Sequence, residues 1–328
     1  MTQGIPLGDP LARSELRPVL YGALGAIFHL EHLGPEDEEP LEHVSDRIWE
    51  WIGPELRVTS LSAAASFEPS RRSHLDYIST YAANLDARAA DAPATQFEAN
   101  NYTKFGRTDY EVTLNGAEDP AAASPYSVRF WSEIGAVSTS DLRLPSFAAL
   151  HLTVPESWPI GDFYSRVCAI AAELRLRWGA AGLTYSDRIV RDPALPSETL
   201  YAHARRHPGY DSARYIRAME PFYDRLRTVN WLTFIGPVFA KRLADMGRPL
   251  VGTPHVGLSA VGGSLLLQAG ATPQRGDINR LQIPFEYREA DALVRPLRTS
   301  DGKDLVFLGP WDRTTITAWL RRFELRVG

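Results

Sequence analysis

The order of strand-like and helix-like segments constrains the fold of this chain more strongly than any single motif does. Runs in which apolar and polar residues alternate, the period of a half-buried strand, are interleaved with runs of helical spacing. Short turns separate some neighbouring strands, whereas a helix separates others. This mixture of hairpins and crossovers predicts an α+β fold with one or two mixed, largely antiparallel sheets flanked by helices.

The boundaries of these segments follow from their periodicity and from the turn residues between them. Predicted strands occupy residues 19–30, 57–67, 95–101, 109–114, 126–133, 146–154, 181–186, 229–235 and 264–268. Predicted helices occupy residues 36–52, 71–85, 160–178, 193–207, 212–222, 237–245, 285–297 and 314–323. The run 229–235 consists almost entirely of β-formers, which indicates a central strand.

The length of 328 residues suits one large domain or two closely packed halves. Residues 1–17 contain Pro6 and Pro10 among polar neighbours and are predicted to form an extended lead-in. We expect residues 18–328 to form a single domain. Two packed halves, at about 18–144 and 145–328, are the alternative.

The charge and the cysteine content exclude several classes of protein. With 40 acidic and 35 basic residues the net charge is -5, which argues against a nucleic-acid-binding surface and permits a basic partner. The single cysteine, Cys168, can form neither an intrachain disulfide nor a cysteine-based zinc site. The N-terminal residues lack a secretory pattern, and the apolar run 19–30 is too short to span a bilayer. We therefore expect a cytoplasmic protein without a membrane segment.

A search for catalytic signatures finds none. The chain has no phosphate-binding loop and no dinucleotide fingerprint, and its nearest approach to a nucleophile elbow, at 257–261, lacks the second glycine. His29 and His32 flank Glu31 but end a predicted strand, in which residues three apart point to opposite faces, so a metal site is disfavoured. The sequence therefore predicts no catalytic residue, no cofactor and no metal. A catalytic pair of His207 and Asp211 is a disfavoured alternative.

One dense run of charge, Glu36, Asp37, Glu38 and Glu39, has two interpretations. Acidic residues favour the first turn of a helix, because they interact with the positive end of its dipole. The same carboxylates could instead bind a basic partner and accelerate its association. A nuclease is such a partner, since its substrate groove is built for phosphates. These four residues are the predicted partner-binding residues.

Five segments of the C-terminal half carry a resemblance to a known family. They are Ala-Gly-Leu-Thr-Tyr-Ser at 181–186, His-Pro-Gly-Tyr-Asp at 207–211, Asn-Trp-Leu-Thr-Phe-Ile-Gly at 230–236, the segment 270–277 that ends in Gly-Asp, and Trp-Leu-Arg-Arg-Phe at 319–323. In order and spacing they resemble segments of the type VI immunity family, TsiV. The agreement covers roughly residues 145–325.

The resemblance implies a cytosolic antidote that is encoded beside a type VI secretion effector and binds this toxin as its partner. The best-known members pair with nucleases of the VRR-NUC type. The resemblance implies no catalysis, cofactor or metal, and it identifies no interface residue. Two other functions stay open: an enzymatic antidote or hydrolase, and an adaptor or chaperone that presents an effector to its secretion apparatus.

Overall fold

The computed structural model describes residues 7–14, 17–30, 34–61, 67–83, 109–133, 147–189, 197–212, 225–299 and 311–324. The predicted strand 95–101 lies outside these ranges. So does the predicted helix 212–222, except for its first residue. Glu31 and His32 lie outside them as well.

One open antiparallel sheet organises the described residues. Its strands are β1 Ala12–Ser14, β2 Arg17–Leu30, β3 Val58–Leu61, β4 Phe67–Pro69, β5 Asp109–Asn115, β6 Ser127–Glu133, β7 Phe147–Pro155, β8 Leu176–Asp187, β9 Leu232–Ile235, β10 Val256–Val261 and β11 Ser264–Ala269. Their order is β10-β11-β9-β8-β2-β7-β6-β5-β3-β4, and β1 pairs with the start of β2. Together with the helices, this sheet confirms the predicted α+β class.

The long strand β2 lies near the middle of the sheet. It pairs with β8 from Leu20 to Leu30 and with β7 from Ala23 to His29. Its residues are buried on both sides over most of its length. This explains why the sequence shows an almost continuous apolar run there instead of strict alternation.

Helices cover the sheet and supply most of the remaining core. They are α1 Glu38–Ile52, α2 Ser73–Ala83, α3 Ile160–Glu173, α4 Ser197–Arg206, α5 Pro237–Asp245, α6 Phe285–Val294 and α7 Arg313–Leu320. Helix α1 packs against α2 and α3. It buries Leu41, Val44, Ile48 and Ile52 on one face and leaves its charged face in solvent.

The predicted helix 160–178 is too long. Helix α3 ends at Glu173, and Leu174 already has an extended backbone, with φ −96° and ψ 140°. Trp178 lies within β8, where it pairs with His29 on one side and Ile235 on the other, and it is fully buried. The spacing of four residues from Leu174 to Trp178 imitates a helix, but pairing with two neighbouring strands decides the conformation.

Other differences occur at the edges of the sheet. The predicted strand 57–67 contains β3 but only the first residue of β4, and these two short strands pair with each other. Strand β10 was not predicted, because as an edge strand it leaves most of its residues at least partly exposed and lacks a clear apolar pattern. Part of the predicted lead-in pairs with β2 as strand β1. Among the residues that the structure describes, no helix is long and apolar enough to cross a membrane.

The corner between β9 and α5 depends on Gly236. Its amide donates to the carbonyl of Arg177 at 3.0 Å. A Cβ atom at this position would lie 1.8 Å from the carbonyl oxygen of Leu176. The backbone has φ −67°, which any residue can adopt, so glycine is required here by close approach and not by conformation.

We expect Gly236→Ala to lower the free energy of unfolding by about 2–3 kcal/mol, because the added methyl group must push apart β8 and the start of α5. Gly161→Ala is the matched control, since a Cβ at Gly161 meets nothing within 4 Å. This control variant should be neutral or more stable by up to about 1 kcal/mol. Urea unfolding of both variants measures the difference, and equal stabilities would contradict the packing described here.

Candidate functional site

The five segments that carry the family resemblance meet around one buried turn. This turn, residues 207–211, follows α4 and packs against the segment 270–277. The amide of Gly209 donates to the carbonyl of Arg275 at 3.0 Å. A Cβ at Gly209 would lie 1.8 Å from the carbonyl oxygen of Gln274, so the two segments can approach this closely only with glycine at that position.

Side chains fix the same two segments to each other. His207 Nδ1 lies 2.8 Å from the carbonyl oxygen of Gly276. Arg206 donates to Asp277 Oδ2 at 2.9 Å, and Asp277 Oδ1 accepts from the amide of Asn279 at 3.0 Å. The hydrogen bond from Arg206 lowers the pKa of Asp277. Asp277 is therefore an ionised residue that holds a turn, as its place before a tight turn predicts.

A buried ion pair connects the turn to the segment before β9. Arg227 donates to Asp211 Oδ2 at 2.7 Å, and both side chains are almost fully buried. The backbone carbonyl of Asp211 accepts from Thr184 Oγ1 at 2.8 Å. Burial lowers the pKa of Arg227, and Asp211 opposes this shift. Because neither charge can reach water, removal of one partner would leave the other buried without this ion pair.

Arg322, from the last segment, joins the network from the other side. Its guanidinium donates to the carbonyl of Pro208 and to Thr228 Oγ1, each at 2.7 Å. It lies 3.8 Å from the ring centre of Trp319 and 4.4 Å from that of Phe323. Burial lowers the pKa of Arg322 to about 9. The Trp-x-x-Arg-Phe pattern thus places one guanidinium against two aromatic rings.

The remaining segments complete the same network. Asn230 Nδ2 donates to the carbonyl of Leu183 at 3.1 Å, and its Oδ1 accepts from the amide of Trp231 at 2.8 Å. The indole of Trp231 donates to the carbonyl of Gly270 at 3.0 Å. All five segments are therefore joined by buried hydrogen bonds, which gives them a structural role in the interior of the protein.

Two histidines at the rim of this network are neutral. Arg275 Nη2 lies 2.9 Å from His203 Nε2 and 3.2 Å from His207 Nε2. Because a guanidinium only donates, each Nε2 accepts and each Nδ1 carries the proton. His203 Nδ1 then donates to the Tyr185 hydroxyl at 2.9 Å. Burial is the main cause that lowers the pKa of His203 to about 3, and the neighbouring His207 and Arg275 lower it further. Burial also lowers the pKa of His207.

These contacts separate the two members of the disfavoured catalytic pair. His207 contacts a backbone carbonyl and Arg275, whereas the carboxylate of Asp211 is held by Arg227. Burial lowers the pKa of His207, which also makes its ring a weaker base than an ordinary histidine. In this arrangement both residues make structural contacts.

The acidic run at the start of α1 is divided between two roles. Asp37 is buried, accepts from the amide of Gly34 at 2.9 Å, and is bound by Arg175 at 2.7 Å. Glu36 also pairs with Arg175, at 2.9 Å. Glu38 and Glu39 are exposed in the first turn of the helix. Arg175 therefore fixes the helix start, and the two glutamates are left on the surface.

The other candidate residues occupy structural positions. His29 is buried and stacks on Trp178 with ring centres 4.2 Å apart, and burial lowers its pKa. Cys168 lies on α3, and burial raises the pKa of its thiol. Within the described parts of the chain, no group of three or more His, Cys, Asp or Glu side chains is placed to hold a metal ion.

Comparison with known proteins agrees with the resemblance in the five segments. The family model for TsiV, type VI immunity for VRR-NUC, matches residues 61–323. This range contains all five segments and excludes the acidic run at 36–39. Among solved structures, the Pseudomonas aeruginosa T6SS protein PA0821 is similar, with a TM-score of 0.65 and 17% sequence identity, and the match covers 93% of this chain and 82% of that chain. At this identity the likeness concerns the fold alone. No curated protein matches the chain.

We expect His203→Gln to make stability less dependent on pH. The folded pKa of His203, about 3, lies below the usual value of 6.5. The residue therefore contributes its full stability above pH 6.5 and loses it as the pH falls toward 3. Between pH 7 and pH 5, the free energy of unfolding should fall by roughly 1–2 kcal/mol more in the wild type than in the variant.

Urea unfolding at the two pH values measures this difference. His43→Gln, on the exposed face of α1, is the control and should keep the wild-type dependence on pH. An unchanged dependence in His203→Gln would contradict the neutral state assigned to this ring.

Proposed function

The chain belongs to the TsiV family of type VI immunity proteins, and from this premise we propose that it binds a cognate type VI secretion toxin in the cytoplasm and neutralises it without catalysis. The family match over residues 61–323 is the observation that carries the proposal. VRR-NUC nucleases, which the family description names, are the proposed class of toxin.

The chemistry of the buried network supports a binder over an enzyme. Its carboxylates, Asp211 and Asp277, are held by Arg227 and Arg206. Its histidines hydrogen-bond to Arg275 and to structural groups. Groups engaged in this way build a rigid scaffold, and a rigid scaffold reduces the entropy that is lost when a partner binds.

An antidote must keep the concentration of free toxin negligible. Nanomolar affinity corresponds to roughly −12 kcal/mol. A preformed interface of about 1,600 Å² with a few well-buried anchor residues is large enough for this affinity. Inhibition then requires only that the bound chain cover the active site of the toxin or hold a surface next to it.

The exposed face of α1 is proposed to meet a basic surface of the toxin. Glu38, Glu39, Glu42, Asp46 and Glu50 all lie exposed along this helix. Glu36 and Asp37 support this binding face indirectly, because their ion pairs with Arg175 fix the start of the helix. A nuclease carries a positive groove for the phosphates of its substrate, and opposite charges accelerate the encounter of two proteins.

Co-expression with the toxin encoded beside its gene should restore growth of a sensitive bacterial host, and the two proteins should co-purify. Restored growth without a complex would favour an enzymatic antidote instead. A complex that does not restore growth would favour an adaptor of the secretion apparatus. If growth is not restored and no complex forms, the proposed pairing is contradicted.

Reversal of charge on α1 should slow association. We expect the double variant Glu38→Lys, Glu39→Lys to bind the toxin about tenfold more slowly at low salt, with a nearly unchanged dissociation rate. The control variant Asp9→Lys, Glu118→Lys changes two exposed acids away from α1 and should associate at the wild-type rate. Stopped-flow kinetics at two salt concentrations measures both rates. An equal loss in the two variants would show a general charge effect and not a binding face.

A further inference from the structure

Leu281 combines two unfavourable features. It is the most exposed of the large apolar side chains in the described residues, at 67%. Its backbone is left-handed, with φ 58° and ψ 25°, and in the described ranges no other residue except glycine has a positive φ. Side chains with a Cβ disfavour this conformation, and leucine has no polar group to compensate for it. Such an outlier points to a function.

The turn that carries Leu281 is held firmly in place. Asp277 and Gln282 exchange two backbone hydrogen bonds, at 2.8 and 2.9 Å. The amide of Arg280 donates to the carbonyl of Asp277 at 3.1 Å, and that of Leu281 donates to Ile278 at 3.0 Å. These bonds fix the left-handed conformation, so the side chain of Leu281 is presented to solvent in a preorganised position.

Arginine side chains surround this turn. Arg206 and Arg280 lie 2.9 and 3.9 Å from the same oxygen of Asp277. Arg275, in the same segment, is exposed and lies over the ring of Tyr210, whose hydroxyl donates to Glu156. Arg275 also lies 2.9 Å from His203 Nε2, and the charges of Arg275 and Arg206 both lower the pKa of this histidine.

We propose that the Leu281 turn, defined as residues 275–282, docks on a carboxylate-bearing surface of the toxin, with Leu281 as its apolar anchor and Arg280 and Arg275 as its ionic contacts. This inference rests on the proposed function. Interface hot spots combine a central apolar or aromatic anchor with arginine, and a rigid turn loses little entropy on binding.

The net charge and the exposed apolar side chain of Leu281 favour a protein over a nucleic acid as the partner. The chain as a whole has a net charge of -5, whereas nucleic-acid-binding domains are usually basic. An exposed leucine offers no contact to a phosphate. A nuclease toxin can present both required surfaces, since it binds phosphates with basic residues and commonly holds catalytic metal ions with carboxylates.

The test measures affinity for the co-expressed toxin and thermal stability in the same variants. Leu281→Asn should weaken binding at least tenfold while the melting temperature stays unchanged or rises, because asparagine tolerates the left-handed backbone. Arg280→Glu should also weaken binding at least tenfold without loss of stability. A residue with a merely structural role would lower affinity and stability together.

Matched controls lie at the opposite end of the sheet. Phe67→Asn removes another exposed apolar side chain, on β4, and Arg71→Glu reverses another exposed arginine. Both should bind like the wild type.

Wild-type affinity in the two turn variants would overturn the inference and leave the proposed function intact. Retention of a DNA duplex by the wild type and not by Arg280→Glu would overturn it in favour of nucleic acid. If the wild type does not bind the toxin, the proposed function itself is contradicted, and with it this inference.

Discussion

The buried ion pair between Asp211 and Arg227 is the interaction on which the C-terminal half of the structure depends. Two charges without access to water are stable only with close mutual contact and further hydrogen bonds. Thr184 and Arg322 provide connections from two other segments. Thr184 binds the backbone carbonyl of Asp211, and Arg322 binds Thr228, the neighbour of Arg227, so segments that are far apart in sequence meet at this pair.

This arrangement separates the interior from the surface. Inside, Arg322 contacts the rings of Trp319 and Phe323 and holds the turn 207–211. Outside, Leu281, Arg280 and the charged face of α1 can change without breaking that network, since their side chains are exposed. An immunity protein needs this separation, because its scaffold must persist while its surface fits one particular toxin.

Local patterns in the sequence predict part of this structure. Gly236-Pro237 marks the start of α5, and the apolar run 19–30 marks the central strand β2, because in both cases the deciding signal lies within a few residues. Trp178 was assigned wrongly, since strand pairing with His29 and Ile235 overrides its helical spacing. The partners of the 207–211 turn were not predictable, because Arg322 reaches Pro208 across 114 residues and no local pattern signals such a contact.

The most direct test of non-catalytic neutralisation is a titration of toxin activity with the purified chain. If the chain acts by binding, activity should fall in proportion to the amount added, reach its end point at a fixed ratio of the two proteins, and stay constant with time. Loss of activity that continues with time at a ratio far below one would show that each molecule inactivates many toxins. That result would contradict inhibition by binding and would assign the chain to the enzymes.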